Sequence, residues 1–289
     1  MRKKQNSHFK LCYQYREYHF ESNQLVHSAP LKPTVNISKI HNSQNILGLI
    51  MTFYVSFANS ARKTALILRS VFNISVSYQT VLNYAEAAAY HCHQFNLNNK
   101  GHIDNIQTGD EAYIKISGRN AFTFFFLSSK NHKITSYHTA SSRETLPAIV
   151  SMHEAVRTAE DKQKLTLITD GNPSYAAGIH FLNQLYDSKK QINHRKVIGL
   201  QNLDSESTLF RPFKQLIERL NRTYKYHVRP AHGFSSFNGA VALTTLFVTH
   251  YNFLRPHMAL NYNVPIPMPE LNAVANIQGK WAKIISLAA

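Results

Sequence analysis

Residues 111–117 read EAYIKIS, residues 121–127 AFTFFFL and residues 133–139 KITSYHT, with Gly118-Arg119-Asn120 and Ser129-Lys130-Asn131 between them. Short runs of β-branched and aromatic residues, separated by turn-forming triplets, predict an antiparallel meander of three strands. Downstream, Leu146, Ile149, Val150 and Val156 repeat at helical spacing behind Ser141 or Ser142 as an N-cap. The apolar run KLTLIT then reads as a strand ending at Asp170, and Gly171-Asn172-Pro173-Ser174 as a turn into a helix reaching about Tyr186. HRKVIGL (194–200) reads as a fifth strand, and helices fill 211–228 and 236–253. Three strands, helix, strand, helix, strand, helix describe an α/β unit: a mixed five-stranded sheet flanked by helices, in the order of the ribonuclease H fold.

Upstream of the meander the pattern is all-α. ILGLIMTFYVSF, ARKTALILRSVF and SYQTVLNYAEAAAYHC are apolar at helical intervals, with Ser60 and Ser77 placed as N-caps of the second and third. The short connection Phe72–Val76 makes these two a helix-turn-helix. In such a unit the second helix enters the major groove by its first residues, here Tyr78, Gln79 and Asn83. An ordinary small helical bundle is the alternative. Residues 1–44, basic and interrupted by Pro30 and Pro33, read as an arm, in which His8, Cys12 and His19 form at most a remnant of a metal knuckle. The expected organisation is therefore 1–44 arm, 45–98 helix-turn-helix, 99–260 catalytic domain and 261–289 tail.

Lys and Arg number 32 against 16 Asp and Glu, a formal charge of +16 that implies a polyanionic partner such as nucleic acid. Cys12 and Cys92 form no CxxC pattern, which excludes a disulfide framework and a four-cysteine zinc site. The sequence of His91-Cys92-His93 points in different directions on a helix. No secretory signal and no spanning segment is visible, so a cytoplasmic location without membrane contact is expected.

In so basic a chain the acids carry the information. Asp110 opens the first strand and Asp170 ends the fourth; if these strands are neighbours, the carboxylates come side by side. At 100° per residue, the helix at 211–229 separates Phe213, Leu216, Ile217, Leu220 and Tyr224 from Arg211, Lys214, Glu218, Arg222, Lys225 and Arg229. Glu218 is thus a single carboxylate in a cationic row, either an i, i+4 partner of Arg222 or a metal ligand beside a phosphate track.

The segments TGDEAYIKISGR, LITDGNPSYAAG, QLIERLNRTYKYHVRPAHGF and HYNFLRPHMAL resemble, in this order, the motifs of bacterial insertion-sequence transposases with a DDE catalytic core, relatives of retroviral integrases. The likeness spans about Asn45 to Leu260. It implies that Asp110, Asp170 and Glu218 hold the catalytic metal ions, and that Arg222 and Lys225, with Lys214 and Arg229, hold DNA near them. Tyr251, Asn252, Arg255 and Pro256 match a closing helix whose expected role is packing with some DNA contact. Carboxylate oxygens suit Mg²⁺, with Mn²⁺ a substitute.

Many such proteins space the second aspartate and the glutamate more closely than the 48 positions from Asp170 to Glu218, and Glu206 meets their usual spacing. Glu206, however, sits in Leu-Asp-Ser-Glu-Ser-Thr, without helical period, and the added residues are expected to form a loop. The function implied is cleavage and strand transfer at the ends of an insertion sequence, on double-stranded DNA and in a homo-oligomer. A hydrolysis-only nuclease of the same fold and a non-catalytic DNA-binding derivative are the alternatives.

Overall fold

The computed structural model describes residues 19–186, 190–198 and 205–289. Within them the chain runs α1 (Gln44–Met51), α2 (Ala61–Phe72), α3 (Tyr78–Asn98), β1 (Ile106–Ile116), β2 (Arg119–Ser128), β3 (Ile134–Ala140), α4 (Thr145–Val156), β4 (Leu165–Thr169), α5 (Pro173–Leu185), β5 (Ile192–Lys196), α6 (Ser205–Val228), α7 (Phe237–Thr249), α8 (Pro269–Asn272) and α9 (Ile277–Ala288). The sheet order is β3-β2-β1-β4-β5, with β1, β2 and β3 antiparallel and β1, β4 and β5 parallel. This is the ribonuclease H-like mixed sheet that the element order implies.

The meander's apolar run has a physical cause, since β2 is covered on both faces. Phe122, Phe124 and Phe126 pack with α4 and α5, including Ile149, Met152, Tyr175 and Ile179. Phe125 and Leu127 face the other way, against Ile217, Leu220 and Tyr224 of α6 and Phe247 of α7. The two faces of AFTFFFL therefore sit in two separate cores, and an in/out alternation never arises. Gly109 is needed for close approach, because a Cβ there would lie 2.3 Å from the buried Phe126 ring. Gly109→Ala is expected to cost about 1–3 kcal/mol by overpacking and to lower the thermal midpoint by several degrees, read by calorimetry.

The helical unit is not confined to residues 45–98. Leu47, Ile50 and Met51 of α1 and Val81, Ala85 and Ala88 of α3 share one core with Leu246, Trp281, Ile284 and Ile285. A Cβ at Gly48 would fall 2.3 Å from the Gln278 carbonyl, and the Trp281 indole N–H donates to the Ser56 hydroxyl at 2.8 Å. The stretch 261–289, expected as a tail, thus carries α8 and α9 and closes the helical unit. Ser60 and Ser77 cap α2 and α3, accepting from the Lys63 and Thr80 amides at 3.2 and 3.0 Å.

Four boundaries differ from expectation. β1 starts at Ile106, so Asp110 is mid-strand and does not open it. The cap of α4 is Glu144, in extended backbone, in place of Ser141 or Ser142. β5 ends at Lys196, before most of the apolar VIGL, of which Gly199 and Leu200 lie outside the described residues. α6 begins at Ser205, so the polar stretch around Glu206 is its first turn, with Pro212 inside the helix, and the expected loop is shorter. His8 and Cys12 lie outside the described residues. Cys92 is wholly buried, and burial pushes its thiol pKa up to about 12. No helix of the described residues is long and apolar enough to cross a membrane.

Candidate active site

Parallel pairing of β1 and β4 brings the two aspartates together. Thr108 lies opposite Ile168, and two residues further the same register sets Asp110 beside Asp170. Asp170 follows the last residue of β4, where its Oδ1 accepts from the Asn172 amide at 2.9 Å, and the Asn172 side chain in turn caps α5 at Ser174. The turn residues Gly171-Asn172-Pro173 thus fix the backbone that presents Asp170.

A third acid completes the cluster. Carboxylate oxygens of Asp110, Glu111 and Asp170 all lie within 4.8 Å of one another. Glu111 was not singled out from sequence, because consecutive strand residues point to opposite faces. Its carboxylate nonetheless comes within 4.8 Å of those of the two aspartates. A signal was present in two adjacent acids within one strand of an acid-poor chain. Glu111 is buried, ion-paired to Arg143, and accepts a hydrogen bond from Tyr175 Oη at 2.7 Å. Arg143 also donates to the Tyr113 hydroxyl at 2.6 Å and is half-exposed at the mouth of the site.

Burial raises the pKa of Asp110, and Asp170 raises it further, against the nearby Lys214 ammonium. Burial likewise raises that of Glu111, with Asp110 and Asp170 adding to it and the Tyr175 hydrogen bond and Arg143 opposing. Lys214 Nζ lies 3.1 Å from Asp110 Oδ2, and the buried Asn221 donates to the same oxygen at 3.2 Å. Carboxylates crowded this closely are relieved by a cation.

Glu218 stands on the α6 wall of the same cavity, of about 440 Å³, together with Asn221, Arg222 and Lys225. Its side chain is exposed and lies outside the close three-carboxylate cluster. The two faces of α6 follow the sequence prediction: Ile217, Leu220 and Tyr224 are buried, while Glu218, Arg222 and Lys225 are exposed. Glu206 is in the helix's first turn, roughly 18 Å along the axis from Glu218 at 1.5 Å per residue.

The remaining basic and polar candidates are distributed. Lys214 pairs with Asp110, and Arg222 and Lys225 line the acidic cavity. Arg229, in a 3₁₀ turn after α6, borders a neighbouring hollow with Tyr113 and Lys115. Arg255 lies in a further cavity with its guanidinium 5.7 Å over the Tyr251 ring. Asn252 is structural, donating to and accepting from the backbone of Ile134 at 2.9 and 2.8 Å and so closing the β3 edge. Tyr78, Gln79 and Asn83 occupy the start of α3 and line neither cavity; Gln79 donates to Asn83 at 2.8 Å, and Arg62 stacks on Tyr78.

Residues 212–265 match the family model described as integrase core domain. No curated protein matches the chain. Among solved structures, the chain is similar to the HTLV-2 integrase catalytic core domain in complex with magnesium. The trimeric form is 14% identical over 54% of this chain and 90% of that chain (TM-score 0.35), and the dimeric form 13% over 56% and 94% (TM-score 0.36). It is also similar to a chain of the simian T-cell lymphotropic virus intasome in complex with PP2A regulatory subunit B56 gamma, at 21% identity over 70% of this chain and 68% of that chain (TM-score 0.33). The matched segment contains Glu218, Arg222 and Arg255.

Proposed function

We propose that the chain is a DDE transposase that cleaves DNA at the ends of an insertion sequence and joins them to target DNA. The observation that carries this reading is the pairing of Asp110 with Asp170 at adjacent parallel strands, facing Glu218 across one cavity. Hard divalent cations bind carboxylate oxygens, and the donor set fits Mg²⁺, with Mn²⁺ as a substitute. When bound, such ions activate the attacking oxygen and stabilise the leaving one in an in-line displacement at phosphorus.

The protein's own groups have separable tasks. Asp110 and Asp170 provide the rigid part of the ligand set, one within a strand and the other fixed by its turn. Glu218, on a longer exposed side chain, closes the set from α6. Arg222 and Lys225 hold the phosphate of the strand to be cut, and Asn221 and Lys214 orient the Asp110 carboxylate. Arg143, held by Glu111 and Tyr113, is a positioning residue at the entrance. In the first step water breaks the phosphodiester at the element end and leaves a 3′ hydroxyl. In the second that hydroxyl attacks a target phosphodiester, forming one P–O bond and releasing the target's own 3′ oxygen. Because both ends must be cut together, the working form is a homo-oligomer on DNA. Tyr78, Gln79 and Asn83 at the start of α3 read the terminal repeat.

Glu218→Gln is expected to abolish joining of a 3′-hydroxyl donor to a target duplex in Mg²⁺, whereas Glu206→Gln leaves it intact. The reverse outcome would move the third ligand to Glu206. Hydrolysis without any joined product would instead favour a nuclease of this fold, and metal-independent binding with neither reaction a DNA-binding derivative.

A further inference from the structure

A second cavity, of about 450 Å³, adjoins the acidic one across α6. Its basic lining comes from three separate segments: Arg219 and Arg222 from α6, Arg255 and His257 after α7, and His132 from the turn between β2 and β3. Among the described residues no carboxylate lines it. Arg222 borders both cavities, so it stands on the crest between them, while Arg219, one residue after Glu218, faces only the second.

Such convergence opposes itself. His132 is pushed below the usual imidazole range by burial and then by Arg219, and His257 is lowered to about 4 by burial, with Arg255 and His132 adding to it. The cations Arg219, Arg222 and Arg255, gathered from two segments with no acid beside them in the described lining, are stabilised by an anion brought from outside. The anion must extend over both cavities if Arg222 is to serve both. A Leu floor and the Tyr251 ring add apolar surface against which a sugar can pack.

We infer that this cavity is a second phosphodiester subsite, in which Arg219 and Arg255, with His132 and His257 beside them, hold the DNA strand as it leaves the acidic site over Arg222. The inference rests on the proposed function only in taking DNA as the polyanion. Its chemistry requires neither metal nor cleavage.

The test is binding of a fluorescent element-end duplex by the full chain without divalent metal, as a function of salt. Each lost phosphate contact lowers the slope of log affinity against log salt by about 0.9. Arg219→Gln should lower the slope by about 1, and Arg219→Gln with Arg255→Gln by about 2, while Lys164→Gln, at the opposite end of β4, leaves it unchanged. Arg219 is exposed, so its single substitution guards against a folding defect in the double variant. Inorganic phosphate as competitor separates sources: it should displace the duplex only weakly if several phosphates are held together. An unchanged slope in both variants, or a chain that binds no duplex, overturns the inference. Equal competition by inorganic phosphate would make the cavity a site for a small anion and overturn it as well. If the slope falls as expected but no joining is ever seen in Mg²⁺, the subsite stands and the transposase reading fails.

Discussion

Asp170→Asn is expected to lower Mg²⁺-dependent nicking of an element end by about a thousandfold, with duplex binding retained. Loss of a ligand that carries several kcal/mol of charge stabilisation, at tenfold per 1.36 kcal/mol, gives that magnitude. The substitution is a clean one. Asp170 Oδ1 accepts from the Asn172 amide at 2.9 Å, and an asparagine keeps an oxygen in that place. The turn into α5 and the cap at Ser174 should therefore survive, so that a loss of turnover with an unchanged thermal midpoint reports chemistry. A variant that still nicks within tenfold of the parent would remove Asp170 from the site and with it the proposed function. Glu111 offers a useful contrast: its carboxylate is committed to Arg143 and Tyr175, so Glu111→Gln should disturb the entrance more than the metal set.

Lowering the pH from 7 to 5 should destabilise the fold strongly. His93 and His138 are each lowered to about 4 by burial, and His250 to about 3 by burial with His227, Arg255 and His257 adding to it. The unfolded chain binds protons at these rings near pH 6.5, and the folded chain does not. Their contribution is therefore fully present above about 6.5 and is lost as pH falls toward the folded values. At pH 5 this amounts to roughly 2 kcal/mol per ring. Geometry explains the reluctance of His138, whose Nδ1 accepts the Ser28 amide hydrogen at 3.0 Å and has no room for a proton of its own. His138→Asn retains an acceptor and should flatten the pH dependence of the thermal midpoint by one ring's share; a profile that is flat in the parent would contradict the assignment.

The parts of the fold that a local pattern can encode were legible. The meander, the capped helices at Ser60 and Ser77 and the cationic face of α6 each follow from residues within a turn or a strand of one another. The adjacency of β1 and β4 follows from topology, and with it the meeting of Asp110 and Asp170. What escaped depended on contacts distant in sequence. Glu111 stands beside the two aspartates, and Arg143 is held by Glu111 and Tyr113, through contacts that no local pattern marks. α9 is weakly marked because its main partner, α1, lies more than 200 positions earlier. Asn252, matched by motif alone, turns out to bind the backbone of β3.

The helical unit that α1, α3 and α9 build together has a consequence for biosynthesis. Leu47 and Ile50 are translated more than 200 positions before the Trp281 and Ile285 surface that covers them. The sheet can close as soon as α7 is available, whereas the unit that contains Tyr78, Gln79 and Asn83 stays incomplete until synthesis reaches α9. Contacts of such long sequence separation form late. A ribosome-stalled or truncated chain therefore presents a finished sheet beside an unfinished helical unit, and the surface proposed to read the terminal repeat matures only after the acidic site is already assembled.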